Sequence, residues 1–175
     1  LSRDLAIRFN TKYSETFKIP NPYIPEFGSR IMSLQNPNTK MSKSDKNLNN
    51  IIGLLDSKNV IRKKINRSVT DSDNEIKYSK DKPGISNLIN IYTSISGNTI
   101  KNIENDYEGK MYSDFKNDLA DIIIELLDPI QNKYNEIIKD TTYLENILKD
   151  GSNRASFKAR RTISKVYRKI GFLKK

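Results

Sequence analysis

A five-residue stretch of this 175-residue chain combines two lysines with two serines. It runs Lys40-Met41-Ser42-Lys43-Ser44, and we call it the two-lysine loop. Two ammonium groups three positions apart supply point charges, and the hydroxyl groups beside them donate hydrogen bonds, so the loop can wrap a polyphosphate. The alternative, a solvated run of charge, usually has no such order. The loop therefore predicts phosphate binding.

The composition restricts any other chemistry, because the chain contains no cysteine and no histidine. The lack of thiols excludes disulfide scaffolds, thiolate metal sites and cysteine nucleophiles. The lack of imidazole excludes Ser-His-Asp triads and ordinary zinc sites. No apolar run approaches the roughly 18 residues that a bilayer span needs. We therefore expect a soluble, cytoplasmic protein that makes no membrane contact.

Two features indicate a portion of a longer protein. Hydrophobic residues without glycine make up 35% of the chain, which is low beside the roughly 45–50% of typical globular proteins, a share that counts glycine. The chain also opens at Leu1 without an initiator methionine or an apolar signal segment. We expect a fragment, either with a small helical fold and a wet surface or with part of its core missing.

The positive charge is concentrated at the carboxyl end. Of the formal net charge of +10, residues 151–175 carry +9 with no acidic residue, which leaves +1 for residues 1–150. The nine cations are Arg154, Lys158, Arg160, Arg161, Lys165, Arg168, Lys169, Lys174 and Lys175. A patch of one sign indicates a polyanion or an acidic protein surface as partner. A solvated helix face is the alternative.

Two further stretches resemble ligand sites but do not meet the requirements. Alternating acids in Thr70–Glu75 suggest a calcium loop, yet Ile76 and Lys82 occupy the positions where an EF-hand needs glycine and glutamate. We predict instead a turn in which side chains cap backbone amides. The Lys82-Pro83-Gly84 step lacks the second glycine and the order of a P-loop, and it predicts a turn before a helix.

The elements that must position the two-lysine loop are predicted from periodicity. Pro20, Pro22 and Pro25 exclude a helix in the polar segment that they punctuate, up to Gly28. Alternation over 30–34 predicts a short strand before a polar loop over 35–50. Helical periodicity follows over 56–68, 86–96, 114–139, 142–151 and 152–170, with Gly97 and Gly151 as helix ends and a kink at Pro129. In the helix predicted over 114–139, the residues expected to face inward are Phe115, Leu119, Ile122, Leu126, Ile130, Tyr134 and Ile137. In the helix predicted over 152–170, they are Ala159, Ile163, Val166 and Ile170.

A family resemblance rests on the two-lysine loop and its flanks. The loop is identical to the KMSKS signature of class I aminoacyl-tRNA synthetases. The flanks resemble bacterial-type tryptophanyl-tRNA synthetase along essentially the whole chain, but only the carboxyl-terminal half of that family's proteins. These flanks are Pro22–Pro25, Gly28–Leu34, Thr70–Asp73, Lys82–Leu88, Tyr107–Gly109, Pro129–Gln131 and Val166–Tyr167.

The resemblance implies a ligase that joins tryptophan to ATP, releases pyrophosphate and passes tryptophan to tRNA(Trp). It implies ATP contacts at Ile31, Lys40, Met41, Ser42, Lys43 and Ser44. It also implies that Lys43 and Lys40 are the catalytic residues and that Mg²⁺ arrives with ATP, without an assigned protein ligand. The family's other ATP signature has no counterpart here, and Ser96-Gly97-Asn98 ends a helix where that motif begins one. The isolated chain is therefore expected to be inactive.

The same resemblance implies a mainly α fold. Residues 1–55 would be the remnant of a Rossmann-like α/β catalytic domain, and residues 56–175 a helical bundle of the anticodon-binding type. The last helix could instead pack back on the catalytic domain. The full-length protein is expected to be a homodimer. The candidate tRNA contacts are Arg62, Lys63, Lys64, Arg67, Arg160, Arg161, Lys165 and Arg168.

Two rival functions remain open on sequence grounds. One is a non-catalytic RNA-binding module derived from a synthetase, which the basic tail favours and the intact two-lysine loop does not. The other is a structural helical fragment without activity.

Overall fold

Helices dominate the computed structural model, which describes residues 1–24, 28 and 30–173. Within that part of the chain the helices are α1 (Ser2–Lys12), α2 (Lys58–Asn66), α3 (Pro83–Ser96), α4 (Ile100–Asp106), α5 (Tyr112–Ile137) and α6 (Thr141–Ile170), with a 3₁₀ turn at Leu48–Asn50. The expectation of a mainly α fold is confirmed. Pro25, Lys174 and Lys175, which entered the sequence argument, lie outside the described residues.

The chain divides into two compact units. One consists of residues 1–23 and 136–175, and the other of residues 24–135. The second unit contains the two-lysine loop. The predicted division between residues 55 and 56 lies inside this unit and stays a prediction about the longer catalytic domain.

An apolar core holds the second unit together. Side chains of α2, α3, α4 and α5 meet in it, and Phe115 is fully buried at the centre of an aromatic cluster. Its ring stacks on Tyr92 at 5.7 Å and meets Tyr107 edge-on at 5.0 Å, an arrangement that adds to the hydrophobic contribution of burial. Leu34, just before the two-lysine loop, is 1% exposed and anchors that region to the same core.

Helix α3 packs very closely on the segment that follows α2. Pro83 is the first residue of the helix, as expected for proline at a helix start. A turn does precede the helix, but it lies at Lys80 and Asp81, whereas Pro83 and Gly84, which were predicted to form it, are already helical. A Cβ at Gly84 would lie 2.3 Å from the carbonyl oxygen of Val69, so only glycine allows this approach. The helix ends at Gly97 in the left-handed conformation, as predicted.

The prediction of a strand over residues 30–34 is wrong. Among the described residues this segment contributes one isolated antiparallel bridge, Met32 with Lys40. The backbone is extended enough to pair there, but Leu34 donates its N–H to Asn50 O and accepts from Val69 N–H, both in loops. The pairing therefore cannot extend into a regular ladder.

The inward face predicted for α5 holds only over the first half of the helix. Phe115 and Leu119 are buried, but Leu126, Ile130 and Tyr134 are 47%, 46% and 44% exposed. Ile123, Ile124 and Leu127 are the buried side chains instead. The helix continues through Pro129 to Ile137.

The two helices predicted beyond residue 141 form one, α6, which runs through Gly151. Asp150 and Arg154 form an ion pair of 3.5 Å across this glycine, one helical turn apart. Asp140 caps the start of the helix, because its carboxylate accepts the N–H of Tyr143. None of its described residues is fully buried. Of the four positions predicted to face inward, Ala159 and Ile163 are exposed, whereas Val166 and Ile170 are partly buried.

The end of α6 contacts the segment after α1 in the same unit, because Lys169 Nζ donates to Glu15 O at 2.7 Å. In the described chain no helix combines the length and apolarity that crossing a bilayer requires.

Candidate functional site

Backbone pairing fixes the first half of the two-lysine loop. Ser33 N–H donates to Thr39 O at 2.8 Å, and Met41 N–H donates to Ile31 O at 3.0 Å. These bonds flank the Met32–Lys40 bridge. The backbone on either side of Lys40 is thus held against an extended segment that ends in the core at Leu34.

A pocket of about 810 Å³ lies beside this pairing. Four predicted ATP-contact residues line it, namely Ile31, Lys40, Met41 and Lys43. The remaining lining residues are Gly28, Ile51, Ile52, Gly53, Leu54, Leu55 and Asp56. The two lysines are exposed, whereas Ile31, Met41 and Ile52 are partly buried and pack against the core. The pocket therefore combines an apolar wall with two cationic side chains.

The two serines of the loop have a different position from the lysines. Ser42 and Ser44 are exposed and do not line the pocket. Their hydroxyl oxygens lie 3.2 Å apart, within hydrogen-bond distance. The structure thus brings four of the six predicted ATP-contact residues to one pocket and places these two hydroxyls outside it.

Asp45 fixes the second half of the loop, a role that sequence reasoning missed. Its N–H donates to Ser42 O at 3.1 Å, and its carboxylate accepts the Asn47 N–H at 2.9 Å and the Asn50 side-chain amide at 2.8 Å. The amide of Asn50, and then the N–H of Asn47, hold the pKa of the Asp45 carboxyl below its usual value. The Asp-Lys-Asn spacing, typical of an Asx turn, could have indicated this anchor.

Asp56 fixes another part of the pocket lining, the segment that includes Gly53. Its carboxylate accepts the Gly53 N–H at 2.8 Å and pairs with Lys64 Nζ at 2.6 Å. Lys64 is 7% exposed, so its side chain is not available to an RNA phosphate, contrary to the prediction that it contacts tRNA. The cause is the apolar face of α2, which turns Lys64 inward together with its neighbour Ile65.

The other three predicted cations of this region, Arg62 and Lys63 in α2 and Arg67 directly after it, remain at the surface. Arg62 pairs with Asp121 of α5 through an exposed ion pair. Lys63 and Arg67 are exposed, and they lie one helical turn apart on the same side of the helix. The predicted basic face of α2 is therefore reduced to these two side chains and the paired Arg62.

The four predicted cations of α6 are all exposed. They are Arg160, Arg161, Lys165 and Arg168. Arg160 and Arg161 lie beside Phe157, which is 71% exposed, around a shallow depression of about 430 Å³ on α6. These side chains are accessible in the unit to which they belong.

The acidic stretch after Thr70 folds as the predicted side-chain-capped turn. Asp71 Oδ1 accepts the Asp73 N–H at 3.1 Å. Lys82 Nζ lies 3.3 Å from Asp73, 3.4 Å from Glu75 and 3.8 Å from Asp71. The Lys82 ammonium thus pairs with all three of the carboxylates that had suggested a calcium loop.

Comparisons with known sequences place the chain among tRNA ligases. The model of the family "tRNA synthetases class I (W and Y)" matches residues 1–128. The tryptophan–tRNA ligase of Clostridium acetobutylicum is 53% identical over 173 residues, which cover 99% of this chain and 52% of the relative. That of Bacillus anthracis is 48% identical over 176 residues, covering 100% and 53%. The chain thus spans about half the length of these relatives.

Solved structures give the same result. Tryptophanyl-tRNA synthetase from Mycoplasma pneumoniae superposes with a TM-score of 0.86 at 34% identity, covering 98% of this chain and 54% of that one. The enzyme from Campylobacter jejuni, complexed with ADP and tryptophan, has a TM-score of 0.62 at 28% identity, covering 97% and 52%.

Proposed function

The chain belongs to the class I tRNA synthetases of the W and Y type, and we propose on that premise that it is the carboxyl-terminal portion of a tryptophan–tRNA ligase. The resemblance seen in the sequence is confirmed, because tryptophan–tRNA ligases are 53% and 48% identical to this chain along 99% and 100% of its length. They do not favour the rival functions, a non-catalytic RNA-binding module or a structural fragment.

The reaction that we propose for the full-length enzyme has two steps. The tryptophan carboxylate attacks the α-phosphorus of ATP, which forms tryptophanyl-adenylate and releases pyrophosphate. A terminal ribose hydroxyl of tRNA(Trp) then takes the tryptophanyl group and releases AMP. The first step needs no general base, because a carboxylate is already ionised and nucleophilic at neutral pH.

One observation carries this proposal, namely that a single pocket is lined both by the cationic side chains of Lys40 and Lys43 and by the apolar side chains of Ile31 and Met41. An adenine nucleotide has the same division into an apolar base and a polyanion. The ammonium groups would lie against the phosphates, and the apolar wall would lie against the adenosine. The ADP complex of the Campylobacter neighbour supports an adenine nucleotide as ligand.

Lys43 is the proposed principal catalytic residue, with Lys40 assisting. Negative charge builds on the departing pyrophosphate, so a fixed cation that contacts it in the transition state lowers the barrier. Ser42 and Ser44 would donate hydrogen bonds to the phosphates, which requires them to turn from each other towards the pocket.

The described pocket residues do not fit a protein-held Mg²⁺. Asp56 is the only carboxylate among them, and it is occupied by Lys64 Nζ and the Gly53 N–H. We therefore assign no protein ligand and no reaction step to the metal, which would arrive on the ATP phosphates.

The finer architecture is part of the same proposal. Residues 1–55 would complete a Rossmann-like catalytic domain, and the helices from residue 56 onward would form an anticodon-binding bundle. The contact between Lys169 and Glu15 supports a packing role for the end of α6. A homodimer located in the cytoplasm follows from the resemblance to the family.

The amino acid substrate gives the direct test, because the matched family includes both tryptophan and tyrosine enzymes. We expect the full-length enzyme to exchange pyrophosphate into ATP with tryptophan and to charge tRNA(Trp). Tyrosine at the same concentration should give only background exchange. Exchange that depends on tyrosine alone, or on neither amino acid, would refute the proposed function.

Binding of tRNA by the 175-residue chain should depend steeply on salt. Each phosphate neutralised contributes roughly −0.7 to −0.9 to the slope of log K against log[salt], so four or five contacts predict a slope of about −3 to −4. Replacing Arg160, Arg161, Lys165 and Arg168 with glutamine should flatten the slope by about 3 if α6 is the contact surface. The slope is measured by titrating the chain and its variant with tRNA at several salt concentrations.

The matched control for this experiment is the double variant Lys63→Gln, Arg67→Gln on α2. These two cations are exposed, whereas the buried Lys64 is excluded from the comparison. If the α6 variant keeps the original slope and the α2 variant loses it, the contact surface belongs to α2. That result would favour the packing role for α6.

A further inference from the structure

Asn87 makes a two-bond clamp on the segment that pairs with the two-lysine loop. Its Oδ1 accepts the Met32 N–H at 2.8 Å, and its Nδ2 donates to Met32 O at 2.9 Å. Asn87 lies on α3, 55 residues away in sequence, and is 3% exposed. A buried amide thus joins a core helix to the backbone opposite Lys40.

The geometry of the Met32–Lys40 bridge explains why the clamp is needed. The hydrogen bonds of this bridge belong to the neighbours, Ser33 with Thr39 and Met41 with Ile31. In an antiparallel pair of this kind the backbone N–H and C=O of the central residue point away from the partner strand. Those of Met32 therefore face α3, where the Asn87 amide replaces the next strand of a sheet.

Met32 is partly buried and lines, together with Asn87, an open depression of about 200 Å³. The adjacent side chains Ser33 and Leu34 are 0% and 1% exposed. A backbone donor and acceptor without partners here would favour a shift of the segment towards solvent, because unmet buried polar groups are costly. Any such shift carries Lys40 with it, since Lys40 pairs with Met32.

We propose that Asn87 is a positioning residue for the reaction. Asn87 fixes the backbone of Met32, and because Met32 pairs with Lys40, it also fixes the orientation of the two-lysine loop at the pocket. The inference rests on the proposed function of that pocket. Asn87 touches no substrate in this account. It couples the packing of α3 to the placement of the ammonium groups.

The neighbouring residue on α3 offers a matched control. Ser86 is also buried, at 7% exposure, and makes the same kind of clamp. Its hydroxyl donates to Ser79 O at 2.8 Å and accepts the Ser79 N–H at 2.9 Å. Ser79 takes no part in the bridge or the pocket, so Ser86→Ala removes an equivalent clamp from the same helix without affecting the loop.

The experiment compares Asn87→Ala and Ser86→Ala in the full-length enzyme. We expect Asn87→Ala to lower kcat for tryptophan-dependent pyrophosphate exchange by about 10- to 100-fold, as a small misplacement of catalytic groups does, with KM for tryptophan changed by less than about twofold. Ser86→Ala should change kcat by less than about twofold at a similar cost in thermal stability. In a Lys43→Ala background, Asn87→Ala should add less than about a twofold effect, since both act through one loop.

A second readout does not depend on activity. Trypsin cleaves after Lys40 and Lys43, and cleavage at these sites should be about fivefold faster in Asn87→Ala than in the unmodified enzyme or Ser86→Ala, because local opening exposes the loop. If the alanine variant does not fold, Asn87→Asp replaces it in both experiments. This variant keeps the acceptor for the Met32 N–H but places a second oxygen against Met32 O. It should show the same two changes.

The outcomes separate the two proposals. Unchanged kcat and unchanged cleavage in the Asn87 variants would overturn the positioning role while the proposed function stands. Equal losses in Asn87→Ala and Ser86→Ala would also overturn it, since the effect would then be general destabilisation. Absence of exchange in the unmodified enzyme would overturn the proposed function, and the cleavage rates alone would then decide whether Asn87 holds the loop.

Discussion

Replacing Lys43 with alanine in the full-length enzyme should slow tryptophanyl-adenylate formation by a factor on the order of 10²–10⁴ and weaken ATP binding much less. Lys43 is exposed at the pocket, where its ammonium group can follow the pyrophosphate as it leaves. Its contact would be strongest when charge has moved onto the leaving group. The rate of adenylate formation in a single turnover and the affinity for ATP are the two measurements.

Lys46→Ala is the matched control for this experiment. Lys46 is an exposed lysine three positions further on, and it does not line the pocket. Its loss should leave the rate within about twofold, as for a surface charge remote from the reacting groups. If Lys43→Ala weakened ATP binding as much as it slowed the reaction, Lys43 would be a ligand of the ground state rather than of the transition state.

The 175-residue chain by itself should show no tryptophan-dependent exchange of pyrophosphate into ATP. The pocket supplies cations for the phosphates, but activation also requires the carboxylate of tryptophan to be held in line with the α-phosphorus. The relatives that this chain matches are about twice as long. Exchange is to be measured at the same molar concentration as the full-length enzyme.

Folding of the isolated chain has to be established in the same preparation. Far-ultraviolet circular dichroism should show a helix content consistent with α1 to α6, which would exclude unfolding as the reason for inactivity. Exchange above the background without tryptophan, in a preparation free of full-length enzyme, would mean that the two-lysine loop and its pocket suffice.

Short stretches of sequence were enough to identify the two-lysine loop and to predict most helices. The Lys40 to Ser44 order is local, so no distant contact was needed to recognise it. The helical periodicities before residue 140 likewise reflect local structure, and glycine at position 97 ends α3 because left-handed backbone is accessible to it there. Element ends were less well predicted, since Gly151 can remain helical when its neighbours form an ion pair across it.

Burial depended on partners that sequence does not show. Helix α5 carries apolar side chains on more than one side, and contact with the core selected Ile123, Ile124 and Leu127 over Leu126. Lys64 resembled its exposed neighbours in the sequence, but the position of Asp56 beside α2 made it a buried ion-pair partner. A periodic pattern marks the apolar residues of a helix, whereas tertiary packing selects which of them meet other atoms.

The chemical groups of the pocket were therefore determined by the sequence, and their placement by the tertiary structure. Lys40, Met41, Lys43 and Ile31 could be named as candidates from the chain alone. Their convergence on one pocket requires the Met32–Lys40 bridge, and the buried amide of Asn87 holds that bridge from a helix 55 residues away. No local pattern encodes such a contact, because it forms only when α3 has packed on the core and turned this one amide towards an unpaired backbone.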